Sequence, residues 1–308
     1  MSLRFIYGRA GCGKTRFCLE EMKARIESGD TGRLYLLVPE QYTFQAEKDL
    51  ADILETGGIL KNEVLSFRRL AYKVFNETGG ITYPHIHPAG KSMILYRILD
   101  KMDKRLKYFK NSVEKPGFIR KLSGLVKEFK HYNVTPDKLD EVCGRLDDDA
   151  LLKDKISELR DIYVAFDKTV KERYRDADDD LTVAAEKMKS SKQFIDSEIW
   201  IDGFADFTPQ EYRIIEVLLT QARRVSISLV CDSLDDGMSE LDIFSPAKKV
   251  YRKVLNMAIK NNVAYEPPVF LNPRPLPRFK YNPELAHLES NFFAHPYRDR
   301  KSTRLNSS

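Results

Sequence analysis

Eight residues near the start of the chain, Gly8-Arg9-Ala10-Gly11-Cys12-Gly13-Lys14-Thr15, fit the pattern G-x-x-x-x-G-K-[ST]. No other feature constrains the fold as strongly. They follow a short apolar run, Leu3 to Tyr7, and open a segment from Lys14 to Ser28 in which Phe17, Leu19, Met22 and Ile26 recur with helical spacing. Strand, glycine turn, helix is the setting in which backbone N–H groups close around phosphate oxygens at the positive end of a helix. Gly8, Gly11 and Gly13 would let the backbone approach, Lys14 would reach the β- and γ-phosphates, and the Thr15 hydroxyl would hold Mg²⁺. Arg9, Ala10 and Cys12 complete the predicted nucleotide-binding stretch. The blander reading is a glycine-rich turn with an ordinary surface lysine. By chance the pattern arises in about one per cent of chains of this length, before the strand and helix around it are counted.

The alternation continues beyond the loop. Arg33 to Val38 reads as a strand stopped by Pro39, Thr43 to Leu54 as a helix, Glu63 to Phe67 as extended chain and Arg68 to Asn76 as a helix. Strands alternating with helices predict an α/β fold with a mostly parallel sheet. From about Gly90 to Ser190 the stripes turn purely helical, as in Phe118, Leu122, Leu125, Val126, Phe129 and in Ile156, Leu159, Ile162, Tyr163, Phe166. A strand returns at Ser197 to Phe204, then a helix at Pro209 to Ala222, the β-branched strand Arg224 to Cys231, and a helix from Ser245 to about Asn261. The predicted organisation is therefore an α/β core in two parts, 1–80 and 196–264, around an all-helical insertion at 81–195. A Pro-rich extended segment, 265–298, and a frayed or non-native tail, 299–308, follow.

Composition narrows the class. Hydrophobic residues make up 42% of 308, enough for a sizeable core, and no apolar run approaches the roughly 20 residues of a membrane helix. No charged region, apolar stretch and cleavage site mark an export signal at Met1 to Tyr7, and Cys12, Cys18, Cys143 and Cys231 lack the spacing of zinc or iron–sulfur ligands. The expectation is a cytoplasmic protein with free thiols and no membrane partner. The 51 basic and 46 acidic residues leave +5, too little to argue for a nucleic-acid partner. Locally the balance is steeper: ten Lys/Arg lie between Lys101 and Lys130 against Asp103, Glu114 and Glu128. A solvated helix face is the ordinary reading of such a run.

A phosphate loop needs a carboxylate at the end of a neighbouring strand to hold the hydrated metal, and a second group to orient the attacking water. Ile199-Trp200-Ile201-Asp202 supplies the first; the alternative is that Asp202 only begins a turn before Thr208-Pro209. The next residue is Gly203, which can neither accept a proton nor aim a water, so binding without efficient hydrolysis is expected. No catalytic residue is assigned.

Four segments in order carry a resemblance. After the phosphate loop come Val38-Pro39-Glu40-Gln41-Tyr42-Thr43-Phe44-Gln45-Ala46-Glu47, Val64-Leu65-Ser66-Phe67-Arg68-Arg69-Leu70-Ala71 and Ile201-Asp202-Gly203-Phe204-Ala205-Asp206-Phe207-Thr208-Pro209-Gln210-Glu211. This series resembles UvrD-like superfamily 1 helicases and, more closely, the B-subunit family of AddAB-type ATP-dependent helicase-deoxyribonucleases, from Met1 to about Tyr297. The resemblance implies a RecA-like, superfamily 1 helicase-like core interrupted by a helical subdomain. It implies work in double-strand break repair, at double-stranded DNA ends, beside an A subunit that supplies the motor in a heterodimer. The B subunit's helicase-like part would handle single-stranded DNA and read a recombination hotspot. Family members are several times longer; their nuclease and iron–sulfur cluster would lie in a C-terminal part beyond this sequence.

The same resemblance places Thr43, Ser66, Phe67 and Arg68 along the single-strand track. Hydroxyls and arginine can bond phosphates and an aromatic ring can stack a base, while Phe44 and Phe67 read equally well as core residues. Two other readings stay open: a self-contained P-loop kinase acting on a nucleotide or small molecule, and an inert scaffold with a vestigial loop. The helical block shows no cluster of arginines around an acid of the kind a kinase lid would carry.

Overall fold

The computed structural model describes residues 1–29, 31–54, 62–79, 82–112, 115, 117–146, 150–235 and 242–291. The elements run β1 (Ser2–Gly8), α1 (Lys14–Glu27), β2 (Leu34–Leu37), α2 (Thr43–Leu54), β3 (Asn62–Leu65) and α3 (Phe67–Thr78). Then come α4 (Pro88–Met102), α5 (Phe118–His131), α6 (Pro136–Arg145), α7 (Ala150–Lys171) and α8 (Asp180–Met188). The chain continues through β4 (Glu198–Ile201), α9 (Pro209–Gln221), β5 (Arg224–Val230), α10 (Ser245–Lys260), β6 (Ala264–Tyr265), β7 (Val269–Phe270) and α11 (Pro283–Asn291). The protein is α/β with a parallel sheet, and it divides into two compact units. One is made of Met1–Arg69, Phe194–Phe207 and the chain from Ile215; the other of Leu70–Gln193 and Thr208–Ile214.

In the first unit the strands are ordered β3-β2-β4-β5-β1-β6, with β7 also pairing β1, and every pair is parallel. The strand interiors are buried on both faces, as a parallel sheet covered by helices requires. Ile6, Leu36 and Trp200 pack with Cys18 and Met22 of α1 and Leu50 of α2 in one apolar cluster. Through it runs a polar bridge. Arg4 donates to Glu21 of α1 at 2.8 Å and to Ser226 of β5 at 3.0 Å, and the Trp200 indole donates to the same carboxylate at 3.0 Å. Three strands and a helix are thereby fixed in rotation, since each apolar neighbour could slide but a shared ion pair cannot.

Parallel pairing puts the carboxyl ends of β1 to β5 along one edge. Strand and helix boundaries differ from expectation in several places. The strand expected at Ser197 to Phe204 stops at Ile201, because Gly203 takes φ 81°, outside the extended region. Phe67, expected to end an extended run, instead begins α3. The segment after Tyr265, expected to be extended with little regular structure, holds β7 on the outer edge of β1 and the helix α11. The expected tail, 299–308, lies outside the described residues.

The second unit is helical, and no strand ladder occurs among its described residues. Leu95, Leu99, Leu122, Val126, Ile162 and Phe166, from α4, α5 and α7, form its main core. Beside them lies a buried charge cluster. Lys130 on α5 meets Asp176 at 2.9 Å and Asp179 at 2.6 Å, Lys91 on α4 bonds Asp176 and Asp178, and His131 reaches Asp178 at 3.3 Å. Asp180 takes Arg175 and His85, so His85 helps join the 84–87 stretch to the start of α8.

Burial alone would raise the carboxyls of this cluster. At Asp176 the charge of Lys130 and the bonds from Lys91 and Lys130 prevail and lower it; at Asp178 the bonds from His131 and Lys91 hold it far below the ordinary range. Asp179 goes the other way, burial winning over Lys130. Groups with lowered folded values add stability above about pH 4 that is lost on acidification; Asp179 adds the reverse. Lys130→Met should cost about 3–5 kcal/mol near neutral pH by leaving buried carboxylates uncompensated. The deficit should narrow below about pH 4, where those carboxylates protonate. Denaturant titrations of both proteins across pH check this, because a pure packing loss would be the same at every pH.

Candidate functional site

The chain leaving β1 turns through the glycine loop into α1. Gly11 and Gly13 take φ 81° and 97°, a region that side chains resist, and Gly13 caps α1 with no side-chain bond to the first-turn N–H groups. Those donors are free of a protein carboxylate or hydroxyl cap. The first turn of α1 holds no acid; it holds Lys14 and Arg16 instead. Two cations at the positive end of a helix oppose the dipole, an arrangement that an incoming anion reverses into attraction. Lys14 is 8% exposed, and its ammonium donates to the carbonyls of Gly8 at 2.8 Å and Arg9 at 3.0 Å. Arg16 pairs along its own helix with Glu20 at 2.7 Å.

Asp202 follows β4 and is 4% exposed. Its backbone N–H donates to the Leu37 carbonyl at 2.9 Å, which holds it at the sheet edge. One carboxylate oxygen accepts from the Thr15 hydroxyl at 2.6 Å, the other from the Ser228 hydroxyl. The structure thus brings Thr15 and Asp202 together across 187 positions of sequence. Their oxygens are the hard donors Mg²⁺ takes, one hydroxyl and one carboxylate with room for waters, so the residues present fit that ion. Gly203 offers no side chain, and its φ of 81° is a conformation that would strain one, although a Cβ there would meet nothing closer than 3.5 Å. Among the described residues no cluster of His, Cys, Asp and Glu forms a separate metal site.

Sequence reading missed what the C-terminal segment does here. The N–H of Arg278 donates to the Gly11 carbonyl at 3.3 Å, and Arg9 is held by Glu289 of α11 at 2.7 Å with Phe244 5.6 Å from its guanidinium. Pro277 and Arg278 join Lys14, Thr15, Arg16, Asp49 and others around a cavity of about 700 Å³ against the loop. Ser228 carried a signal, as a polar residue in an otherwise apolar buried strand. Arg278 and Glu289 carried none, being far from the loop in sequence.

Of the residues expected on a single-strand track, Thr43 opens α2 and Ser66, Phe67 and Arg68 follow β3 into α3, all in the first unit. Thr43 is buried and donates to the Glu40 carbonyl at 3.0 Å. Ser66 is buried too, bonding the Glu40 carboxylate and capping α3 by accepting from the Arg69 N–H at 3.2 Å. Phe67 is 5% exposed, its ring against Phe204 and Phe207, so a base could meet it only at the edge of this three-ring cluster. Arg68 is exposed on the first turn of α3, beside Arg69, which pairs with Glu47. Phe44, which sequence reading left between core and surface, is 76% exposed.

Comparison with known proteins gives a consistent result. The family described as ADDB, N-terminal, matches residues 5–289. The chain is 58% identical over 298 residues to the B subunit of the ATP-dependent helicase/deoxyribonuclease from Acetivibrio thermocellus, covering 97% of this chain and 26% of that protein. It is 49% identical over 300 residues to the protein of the same name from Ruminiclostridium cellulolyticum and 45% identical over 304 residues to that of Clostridium botulinum. Those alignments cover 97% and 98% of this chain and 26% of each relative. The chain therefore spans about a quarter of the length of these relatives.

The close seat of the C-terminal segment on the loop is testable. A Cβ on Gly8 would come to 2.3 Å from the Leu271 carbonyl oxygen and 2.7 Å from Cys12 Sγ. Gly8→Ala should therefore cost about 1–3 kcal/mol through forced displacement. Gly124→Ala, on α5 with open space around it, should instead gain up to about 1 kcal/mol. Thermal or denaturant unfolding of the two variants distinguishes them.

Proposed function

The chain belongs to the ADDB N-terminal family, and from that premise we propose that it is the nucleotide-binding, helicase-like N-terminal region of the B subunit of an ATP-dependent helicase/deoxyribonuclease. Its fold is of the RecA-like P-loop kind, interrupted by the helical block. The observation that carries the reading is the meeting of Thr15 and Asp202 beside an uncapped, cation-bearing helix start. ATP binds with its phosphates against the N–H groups of Gly8 to Thr15, and Lys14 turns from the loop carbonyls to the phosphates. Thr15 and Asp202 would hold Mg²⁺, which when bound would neutralise phosphate charge, and Ser228 keeps the Asp202 carboxylate in place.

Gly203 leaves the site without a group to orient water, so this region binds ATP without efficient turnover, and it holds no nuclease residues. In the longer protein it acts with an A subunit as a heterodimer on DNA ends during double-strand break repair by homologous recombination, in the cytoplasm. There it handles the single strand and reads a hotspot, leaving the motor to its partner. The single strand crosses the carboxyl edge of the sheet near Thr43, Ser66 and Arg68, the edge where ligands of open α/β sheets collect. Thr43 and Ser66 shape that edge from within and Phe67 backs it, while Arg68 contacts phosphate.

Two outcomes are expected. Lys14→Ala should weaken fluorescent-ATP binding at least tenfold, and wild-type turnover should stay far below that of an active helicase; unchanged affinity, or robust hydrolysis abolished by Lys14→Ala, contradicts the site as described. Arg68→Ala should lower single-strand affinity with unaltered sequence preference and reduce the salt slope by about 0.7, the value for one phosphate contact on a single strand. Titrations across a salt series measure both.

A further inference from the structure

The basic run between Lys101 and Lys130 is not absorbed by the nucleotide or single-strand reading. Its one buried member, Lys130, is consumed by the Asp176–Asp179 cluster. The other nine Lys/Arg are all exposed, and among the described residues none of them pairs with a carboxylate. Elsewhere in the chain surface cations commonly find acids: Arg16, Arg69, Arg160 and Lys171 are paired. Against the nine stand few negative charges, with Asp103 and Glu114 inside the 101–127 stretch.

Most of these cations sit at the end of α4, as Lys101 does, or on the short stretch that joins it to α5, as Lys104, Arg105, Lys107, Lys110 and Lys115 do. This joint is held in shape from below. The buried carboxylate of Glu158 on α7 accepts three consecutive backbone N–H groups, from Lys107, from Tyr108 at 2.9 Å and from Phe109 at 3.0 Å. Phe109 packs on Phe118 with ring centroids 5.2 Å apart, tying the stretch to the start of α5. Burying an acid to anchor three amides turns the lysine side chains of a surface loop into charges on a fixed backbone. Like charges spaced along so short a length of chain repel one another, and an extended polyanion relieves that repulsion while releasing its counterions.

We propose that this face of the helical unit, centred on residues 101–115, binds the phosphate backbone of double-stranded DNA. Between residues 97 and 131 no large apolar side chain is exposed among the described residues; the exposed rings nearest in sequence, Tyr96 and Tyr132, fall outside the basic run. Single-strand sites combine cations with aromatic platforms for unstacked bases; among the described residues of the 101–115 stretch the cations are exposed, while Tyr108 is partly buried and Phe109 buried. Recognition limited to phosphates fits a duplex, whose bases are already stacked. This surface rests on the reading that the protein acts at DNA ends and is independent of the nucleotide site.

The test uses the 308-residue chain with Lys104, Arg105, Lys107 and Lys110 all changed to Ala, exposed positions whose loss should leave circular dichroism and melting unchanged. Binding to a duplex of about 30 base pairs and to a single strand of equal length is measured from about 50 to 200 mM salt. Duplex affinity should fall more than tenfold at low salt and the log–log salt slope should drop by about 3 or more, near 0.9 per phosphate released. Single-strand affinity should fall less, because Arg68 remains. Lys104→Arg/Lys107→Arg/Lys110→Arg should bind duplex as wild type does, and Lys101→Ala/Lys115→Ala should give an intermediate loss in case the fourfold variant folds poorly. Equal duplex slopes for wild type and the fourfold variant overturn the proposal, as does no duplex binding by wild type at the lowest salt. Equal losses on duplex and single strand overturn the duplex assignment. Binding to phosphatidylserine vesicles that the variant loses while duplex binding is unchanged assigns the face to a lipid surface instead.

Discussion

One carboxylate organises the candidate site. Asp202 is tied to β2 through its backbone, to α1 through Thr15 and to β5 through Ser228, so the ends of four elements converge on a single buried acid. A buried carboxylate without partners would be costly, and here its two oxygens are satisfied by hydroxyls that each belong to a different element. The arrangement depends on the sheet order, because β4 and β5 must lie side by side with β1 next in line for Thr15 and Ser228 both to reach it. The Arg4–Glu21–Trp200 bridge secures the same three strands and α1 from the amino-terminal half of the sheet. The geometry around the glycine loop is thus set from two ends of α1.

How much was legible in the sequence followed from the range of the interactions. The glycine loop, the helix it opens and the apolar strands are local patterns, and α1, α2 and β5 fall within a residue or two of their expected positions. Asp202 was legible because a strand ending in an acid is also a local sign. Its partnership with Ser228 and the seating of Arg278 and Glu289 on the loop were not, since nothing near Gly11 or Arg9 announces a contact with the far end of the chain. The early stop of β4 at Gly203 and the start of α3 at Phe67 show the same limit at shorter range. Backbone dihedrals and capping by Ser66, rather than hydrophobic pattern, decide those ends.

The aromatic residues near the sheet edge illustrate how burial sorts candidates that composition cannot. Phe67, Phe204 and Phe207 pack on one another, while Phe44 stands in solvent in the first turn of α2. All four read alike as apolar residues beside turns, and only the tertiary arrangement separates a cluster that shapes the edge from a ring that faces outward. His85 and His131 each end on an aspartate of the charge cluster, a structural use in keeping with histidines that have no metal-ligand spacing.

The outer edge of β1 is covered by β6 and β7, each only two residues long. An uncovered edge presents a row of unpaired amides and carbonyls that another chain can extend, and β1 is buried along most of its length. The residues from 264 to 270 therefore act as a shield along that side of the sheet. A chain cut before residue 264 would keep its glycine loop and its acid, yet would display a bare, hydrophobic strand. Its failure would show as self-association at rising concentration, beside the loss of the Arg278 and Glu289 contacts to the loop.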